Sequence, residues 1–134
     1  MTTTMQTLAL STIGQIALVV HDVERATEFY RDKLGMRFLF AAGPHLAFFD
    51  CDGVRLMLTR PEQKEFDKPG SVIYFKVRDI KGAYDGFKER GVSFIDQPHL
   101  IAPLPDHDLW MTFFNDLDGN TLGLMGEMPK GYQP

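Results

Sequence analysis

One cysteine, Cys51, is the whole thiol complement of this 134-residue chain. An internal disulfide framework is therefore excluded, and a reducing, cytoplasmic setting is expected. No apolar run approaches the roughly 20 residues needed to cross a bilayer. The first residues carry neither the basic start nor the long apolar stretch of a secretory signal. A surplus of positive charge is missing too: 14 Lys and Arg stand against 18 Asp and Glu, a net charge of −4 with the signs interspersed. That balance argues against nucleic acid and anionic membranes as partners. There is no Ser/His/Asp arrangement, no P-loop and no dinucleotide-binding glycine pattern. What remains, 44% hydrophobic and 24% charged, is ordinary for one domain or for two small halves sharing a core.

What is present is a repeat. Residues 13–22 form an apolar strand pattern ending at Asp22, followed by a helical pattern that stops at Gly35. Residues 72–79 do the same, ending at Asp79, with a helical pattern that stops at Gly91. Each aspartate stands where a helix N-cap belongs, and each glycine suits the left-handed position after a helix. Ala26 and Ala83 lie four residues past the caps. Val23, Ala26, Phe29, Tyr30 and Leu34 recur at helical spacing, as do Ile80, Ala83, Tyr84 and Phe87. The second halves correspond as well: residues 50–58 and 116–124 share Asp-x-Asp-Gly-x-x-Leu-x-Leu, an Asp-Gly turn entering an alternating strand. An aromatic strand precedes each turn.

The pattern predicts an α+β fold of two βαβββ modules: strand 13–20, helix 23–34, strands 37–42, 45–50 and 54–59, a polar linker 61–70, then strand 71–77, helix 80–90, strand 92–96, a long loop, and strands 109–115 and 120–126. Module one is expected over 11–60 and module two over 71–127, a single domain over 11–127, with tails at 1–10 and 128–134. The halves differ in length. From capping aspartate to hairpin glycine is 31 residues in the first and 40 in the second, and the excess falls around 97–108.

Strand parity separates two faces. Ile16, Leu18, Val20, Leu56, Leu58, Ile73, Phe75, Val77, Leu122 and Leu124 form an apolar set expected beneath the helices. The opposite set, which includes Gln15, Ala17, Arg55, Met57, Val72, Tyr74, Lys76, Thr121 and Gly123, mixes polar, small and flexible residues. It suits a concave surface that receives a ligand, or a half-solvated sheet face.

Three segments, Gln15-Ile-Ala-Leu-Val-Val-His-Asp, Phe29-Tyr-Arg-Asp-Lys-Leu-Gly35 and Phe113-Phe-Asn-Asp-Leu-Asp-Gly-Asn-Thr-Leu124, resemble the vicinal-oxygen-chelate superfamily. That group includes glyoxalase I, bleomycin-resistance proteins, methylmalonyl-CoA epimerase and extradiol dioxygenases. The resemblance implies a cup-shaped, glyoxalase/bleomycin-resistance-like mixed sheet and a homodimer. In the enzymes, inward residues of the first and last strand of each module hold a divalent metal. The positions matching them here are Gln15, Met57, Val72 and Gly123, of which only Gln15 offers a suitable donor. The resemblance therefore points to the metal-free branch of the superfamily, without a cofactor.

For a ligand, the expected contacts are Gln15, Arg55, Met57, Tyr74, Lys76, Thr121 and Trp110. Arg55 and Lys76 would pair with an anionic group or else point to solvent. Tyr74 would stack on a ligand or fill core, Gln15 would reach deep into the cup or tie strands together, and Trp110, which begins a strand, reads as core before ligand platform. In the long loop, His99 and His107 are candidate proton carriers or an unconventional metal pair beside Asp106 and Asp108, with the loop as a lid; a solvated surface loop is the plainer account. His21 and His45 read as structural. Cys51 lacks a neighbouring base. These residues predict a metal-free protein binding a small organic molecule, aromatic or anionic. The competing readings are a lyase, isomerase or dioxygenase with displaced ligands such as His45, and an interaction module whose cup is filled by its own side chains.

Overall fold

The computed structural model describes residues 13, 15–61 and 70–134. Strand β1 (Gln15–Val19) leads into helix α1 (Val23–Glu28), a π-helical turn (Phe29–Lys33), and strands β2 (Arg37–Ala41), β3 (Leu46–Cys51) and β4 (Val54–Thr59). The second module repeats the order with β5 (Ile73–Lys76), α2 (Ile80–Glu89), β6 (His99–Pro103), β7 (Asp108–Asn115) and β8 (Thr121–Met128). Each module is a four-stranded sheet, β1-β4-β3-β2 and β5-β8-β7-β6, with β1 and β5 parallel to their neighbours and the other pairs antiparallel. The duplicated α+β architecture read from the repeat is what forms. No helix of the described residues is long and apolar enough to cross a membrane.

The caps act as their spacing requires. Asp22 accepts from the Arg25 amide at 3.0 Å and Asp79 from the Gly82 amide at 3.2 Å. Gly35 and Gly91 follow the helices at φ 75° and 94°. The residues of the apolar parity meet in one cluster that draws on both modules. Leu18, Leu58, Phe49 and Leu122 are sealed within it, each contributing about 1.5–3 kcal/mol of burial.

Two segments depart from the sequence reading. The first helix is not α throughout: its last turn is π, with the Leu34 amide on the Phe29 carbonyl at 3.1 Å. The wider turn lets the consecutive rings of Phe29 and Tyr30, edge-to-face at 5.4 Å, both face the core. It also accounts for the one extra residue between cap and glycine in module one (22 to 35, against 79 to 91). The sixth strand lies at His99–Pro103, inside the stretch read as a loop, whereas residues 92–96 contribute only a bridge between Phe94 and Phe114. Asp96 ends that pairing because its carboxylate takes the Phe113 amide at 2.9 Å and the Thr112 hydroxyl at 2.8 Å. Pro103 is tolerated in β6 because an edge strand has spare donors to lose. The stretch is therefore a sheet edge rather than a lid.

The last strand also runs into residues read as a tail. Met128 is buried, Lys130 bonds Asp108 at 2.7 Å, and the Tyr132 ring packs edge-to-face on Trp110 at 5.6 Å.

The modules are joined through a buried carboxylate. Asp116 Oδ1 accepts the amides of Asp118 and Asn120 at 2.9 and 2.8 Å, and its Oδ2 accepts the Tyr30 hydroxyl and the Asn120 side-chain amide, both at 2.8 Å. The same Asn120 amide group reaches the Val19 carbonyl at 2.7 Å. One hairpin of module two is thereby bonded to both the helix and the first strand of module one. Removing the hydroxyl with Tyr30→Phe is expected to cost about 1–3 kcal/mol, and Asn120→Ala about 2–4 kcal/mol because two buried acceptors lose their donor, both read from urea unfolding. Burial, and then the neighbouring Asp116 carboxyl, hold the Tyr30 phenol far above its ordinary value. Its contribution is complete below about pH 10 and is lost above it, at about 1.4 kcal/mol per pH unit, because only the unfolded chain then releases the proton. Wild type should therefore lose stability between pH 10 and 11 more steeply than Tyr30→Phe.

Candidate functional site

Register converts parity into rows across each sheet. In sheet one the face away from the helices carries Gln15, Arg55, Asp50 and Arg37 side by side, then Ala17, Met57, Phe48 and Phe40. In sheet two the corresponding rows are Tyr74, Gly123 and Phe113, then Lys76, Met125, Met111 and His99. This surface is aromatic, thioether-rich and open. Phe40 stacks on Phe48 at 4.7 Å, and the Arg55 guanidinium lies over Phe48, 5.5 Å from its centroid. Tyr74, 47% exposed, meets Phe113 edge-to-face at 5.8 Å.

Placement of the expected contacts is mixed. Arg55, Met57, Tyr74 and Lys76 share this face near the junction of the modules. Gln15 is exposed rather than deep, its amide 3.7 Å from the Met57 sulfur. Lys76 is paired with Glu127 at 3.1 Å. Thr121 bonds the Asn115 side chain at 3.1 Å at the hairpin end of β8. Trp110 does not join them: opposite Gly126, it lies on the helix side and packs against the core. His99 opens β6, whereas His107 lies beyond its far end in the turn before β7, about 13 Å or more away along the strand. Each is held locally, His99 by the Gln97 carbonyl at 2.8 Å and His107 by Asp106 at 2.8 Å. His45 sits at the β2–β3 turn, where its carbonyl accepts the Arg60 amide. Among the described residues no group of three or more His, Cys, Asp or Glu is gathered in metal-holding geometry.

The main cavity lies where parity alone did not look. Strands β1 and β5 are both sheet edges and are not bonded to each other. They converge near Gly70, where a Cβ would stand 4.0 Å from the Ala17 carbonyl. Ile16 and Ala17 line a void with residues 71–74, whereas Ile13 and Ile16 line a larger one with 73–77. The two edges thus run in opposite directions and bound a seam. Its larger void, about 570 Å³, has apolar walls that include Ile16, Leu56, Ile73, Phe75, Phe87 and Leu124, with Arg37, Asp50, Arg55, Tyr74 and Lys76 also on its lining. The apolar set expected to lie wholly beneath the helices therefore lines this void in part. Cys51 borders it too, and burial, then the Asp50 charge, push its thiol pKa up, keeping it protonated at neutral pH.

The repeat explains the void. Counting from the capping aspartates, Tyr30 corresponds to Phe87; in the hairpins, Asp116 corresponds to Asp50 and Asn120 to Val54. One hairpin is closed onto the opposite module by the Tyr30–Asp116–Asn120 bonds. The equivalent trio Phe87, Asp50 and Val54 has neither hydroxyl nor amide to make those bonds, and all three line the cavity. A sequence signal existed in these two substitutions within the repeat.

Residues 12–124 match the model of the Glyoxalase/Bleomycin resistance protein/Dioxygenase superfamily. The chain belongs to that superfamily. Among its relatives, Bacillus subtilis (strain 168) YetH is 30% identical over 119 residues, covering 81% of this chain and 92% of that protein. A superfamily member from Sphaerobacter thermophilus DSM 20745 superposes with a TM-score of 0.74 at 28% identity, covering 90% of this chain and all of that one. A lactoylglutathione lyase from Agrobacterium tumefaciens, 20% identical, shares the fold with a TM-score of 0.70 over 92% of this chain and 98% of its own.

At the superfamily's four metal-ligand positions the side chains here are an amide, a thioether, an isopropyl group and a hydrogen. The donor set does not fit a hard divalent ion. Gly123 is further closed by its neighbours, since a Cβ there would stand 2.9 Å from the Tyr74 ring and 3.0 Å from Phe113. Gly123→Ala is expected to cost about 1–2 kcal/mol by pushing these rings apart. About half of that loss should disappear in a Tyr74→Ala background, a coupling of about 0.5–1 kcal/mol in a double-mutant cycle, because the Phe113 contact remains.

Proposed function

We propose that this superfamily member binds a small organic molecule in the seam between its modules and works without the superfamily's divalent metal. The cavity carries the reading: about 570 Å³, lined by apolar walls and several convergent polar groups, it has the size and character of a ligand pocket. The weak donor set supports the metal-free part. The reading extends to a cytoplasmic homodimer. Its support is the half-buried single thiol and the large exposed apolar side chains Leu39, Phe40, Leu100 and Ile101 on the outer strands, a kind of surface that tends to be covered.

Three measurements test this. Metal analysis of protein purified without chelator should find no equimolar divalent ion, and dialysis against EDTA should leave the melting temperature within about 1 °C, since no binding energy is linked to folding. An equimolar ion lost together with stability would overturn the metal-free reading. A thermal-shift screen of small aromatic and anionic compounds should yield at least one that raises the melting temperature by several degrees, about 2–3 kcal/mol at a hundredfold excess over Kd. Light scattering should return twice the 15.2 kDa chain mass.

A further inference from the structure

We infer that the seam cavity takes an amphipathic oxyanion, with an alkyl or arylalkyl body between the modules and a carboxylate or phosphate monoester at Arg37 and Arg55. The inference rests on reading the seam as a small-molecule site and names the class of molecule that enters it.

The body is dictated by the walls. Ile16, Leu56, Ile73, Phe75, Phe87 and Leu124 offer no hydrogen-bonding side chain, so a polar moiety seated there would lose its water without compensation. The head is dictated by the rim. Arg37, Asp50 and Arg55 are neighbours on three adjacent strands, which places the two arginine Cα atoms about 10 Å apart with the aspartate between them. Asp50 offsets part of their charge without pairing with either: its Oδ1 accepts the Gly53 amide at 3.2 Å. Among the described residues neither arginine has a carboxylate within ion-pair distance. The Arg55 guanidinium lies over the Phe48 ring, 5.5 Å from its centroid, a contact that leaves its N–H groups available for a bidentate oxyanion. Of the remaining rim charges, Lys76 is engaged by Glu127, and Asp52 stands in the exposed turn at φ 53°. A cationic or neutral head would leave two guanidinium groups beside the single carboxylate of Asp50.

Cys51, the sole cysteine, lines this cavity and reports its occupancy through the rate at which iodoacetamide alkylates the folded protein. Decanoate, decyl phosphate, decanol and decyltrimethylammonium would be compared at equal concentration below micelle formation, with melting temperature read in parallel. Decanoate or decyl phosphate, whichever head fits, should slow alkylation at least about fivefold and raise the melting temperature, and the stronger of the two identifies the head. Decanol and the ammonium compound should slow it less than about twofold. Arg55→Met and Arg37→Met, both at exposed positions, should each weaken oxyanion protection about five- to tenfold, corresponding to about 1–1.4 kcal/mol, with unchanged circular dichroism. Equal protection by decanol or the ammonium compound would overturn the oxyanion assignment and leave the seam as a ligand site. Protection of Cys51 by none of the four, or protection that rises with protein concentration alone, as when a second copy covers the groove, would overturn the inference. If, in either case, thermal-shift hits also leave Cys51 unprotected, the seam reading falls with it.

Discussion

The two halves of this molecule are held in register by one buried carboxylate. Asp116 is 7% exposed and takes four hydrogen bonds from three residues, so its position is over-determined. Two of the donors are backbone amides of its own turn, which fix the hairpin. Of the others, the Tyr30 hydroxyl reaches across from module one, and the Asn120 side chain, which also donates to the Val19 carbonyl, ties the hairpin to the first strand. Hydrophobic burial supplies most of the stabilisation but is indifferent to small sliding motions. The directional bonds at Asp116 are what select one arrangement of the two sheets.

That selection has a cost at the pseudo-symmetric position. A duplicated fold could close both hairpins onto both helices in the same way, yet Phe87 and Val54 stand where Tyr30 and Asn120 would be needed. Asp50 keeps the local half of the pattern, bonding the Gly53 amide, and among the described residues has no partner across the seam. The modules are thus clamped at one end and left apart at the other, which is how a protein with an otherwise continuous core comes to hold a cavity of about 570 Å³. The opening comes from broken symmetry: one contact is structural because it is satisfied, and its counterpart is open because it is not.

Much of the fold was legible in the sequence because it depends on local chemistry. Capping aspartates, glycines after helices and Asp-Gly hairpins act over four or five residues, and their recurrence in the same order carries the duplication. Longer-range competition was not legible. The displacement of β6 to His99–Pro103 follows from Asp96 bonding Thr112 and Phe113, partners sixteen and seventeen residues away. The π turn follows from two adjacent rings both requiring burial. For the site, parity correctly grouped Arg55, Met57, Tyr74 and Lys76 on one face. Trp110, offered as a ligand contact but read first as core, packs with the core. Parity missed the cavity walls, because Ile73 and Phe75 look like core until the adjoining edge is found to stand apart.

In the superfamily's enzymes the four metal-ligand positions carry oxygen and nitrogen donors, and such a set favours a cation. In this chain the same positions carry an amide, a thioether, an isopropyl group and a hydrogen, with the Tyr74–Phe113 pair close against Gly123, and a charge placed there would be desolvated without ligation. On the reading proposed above, charge recognition falls to Arg37 and Arg55, in the row of Gln15, and is for an anion rather than a cation. The same backbone geometry that would polarise paired oxygens through a metal instead sets an apolar slot beside two guanidinium groups, so that the fold fixes where a molecule would be held while individual substitutions decide its polarity.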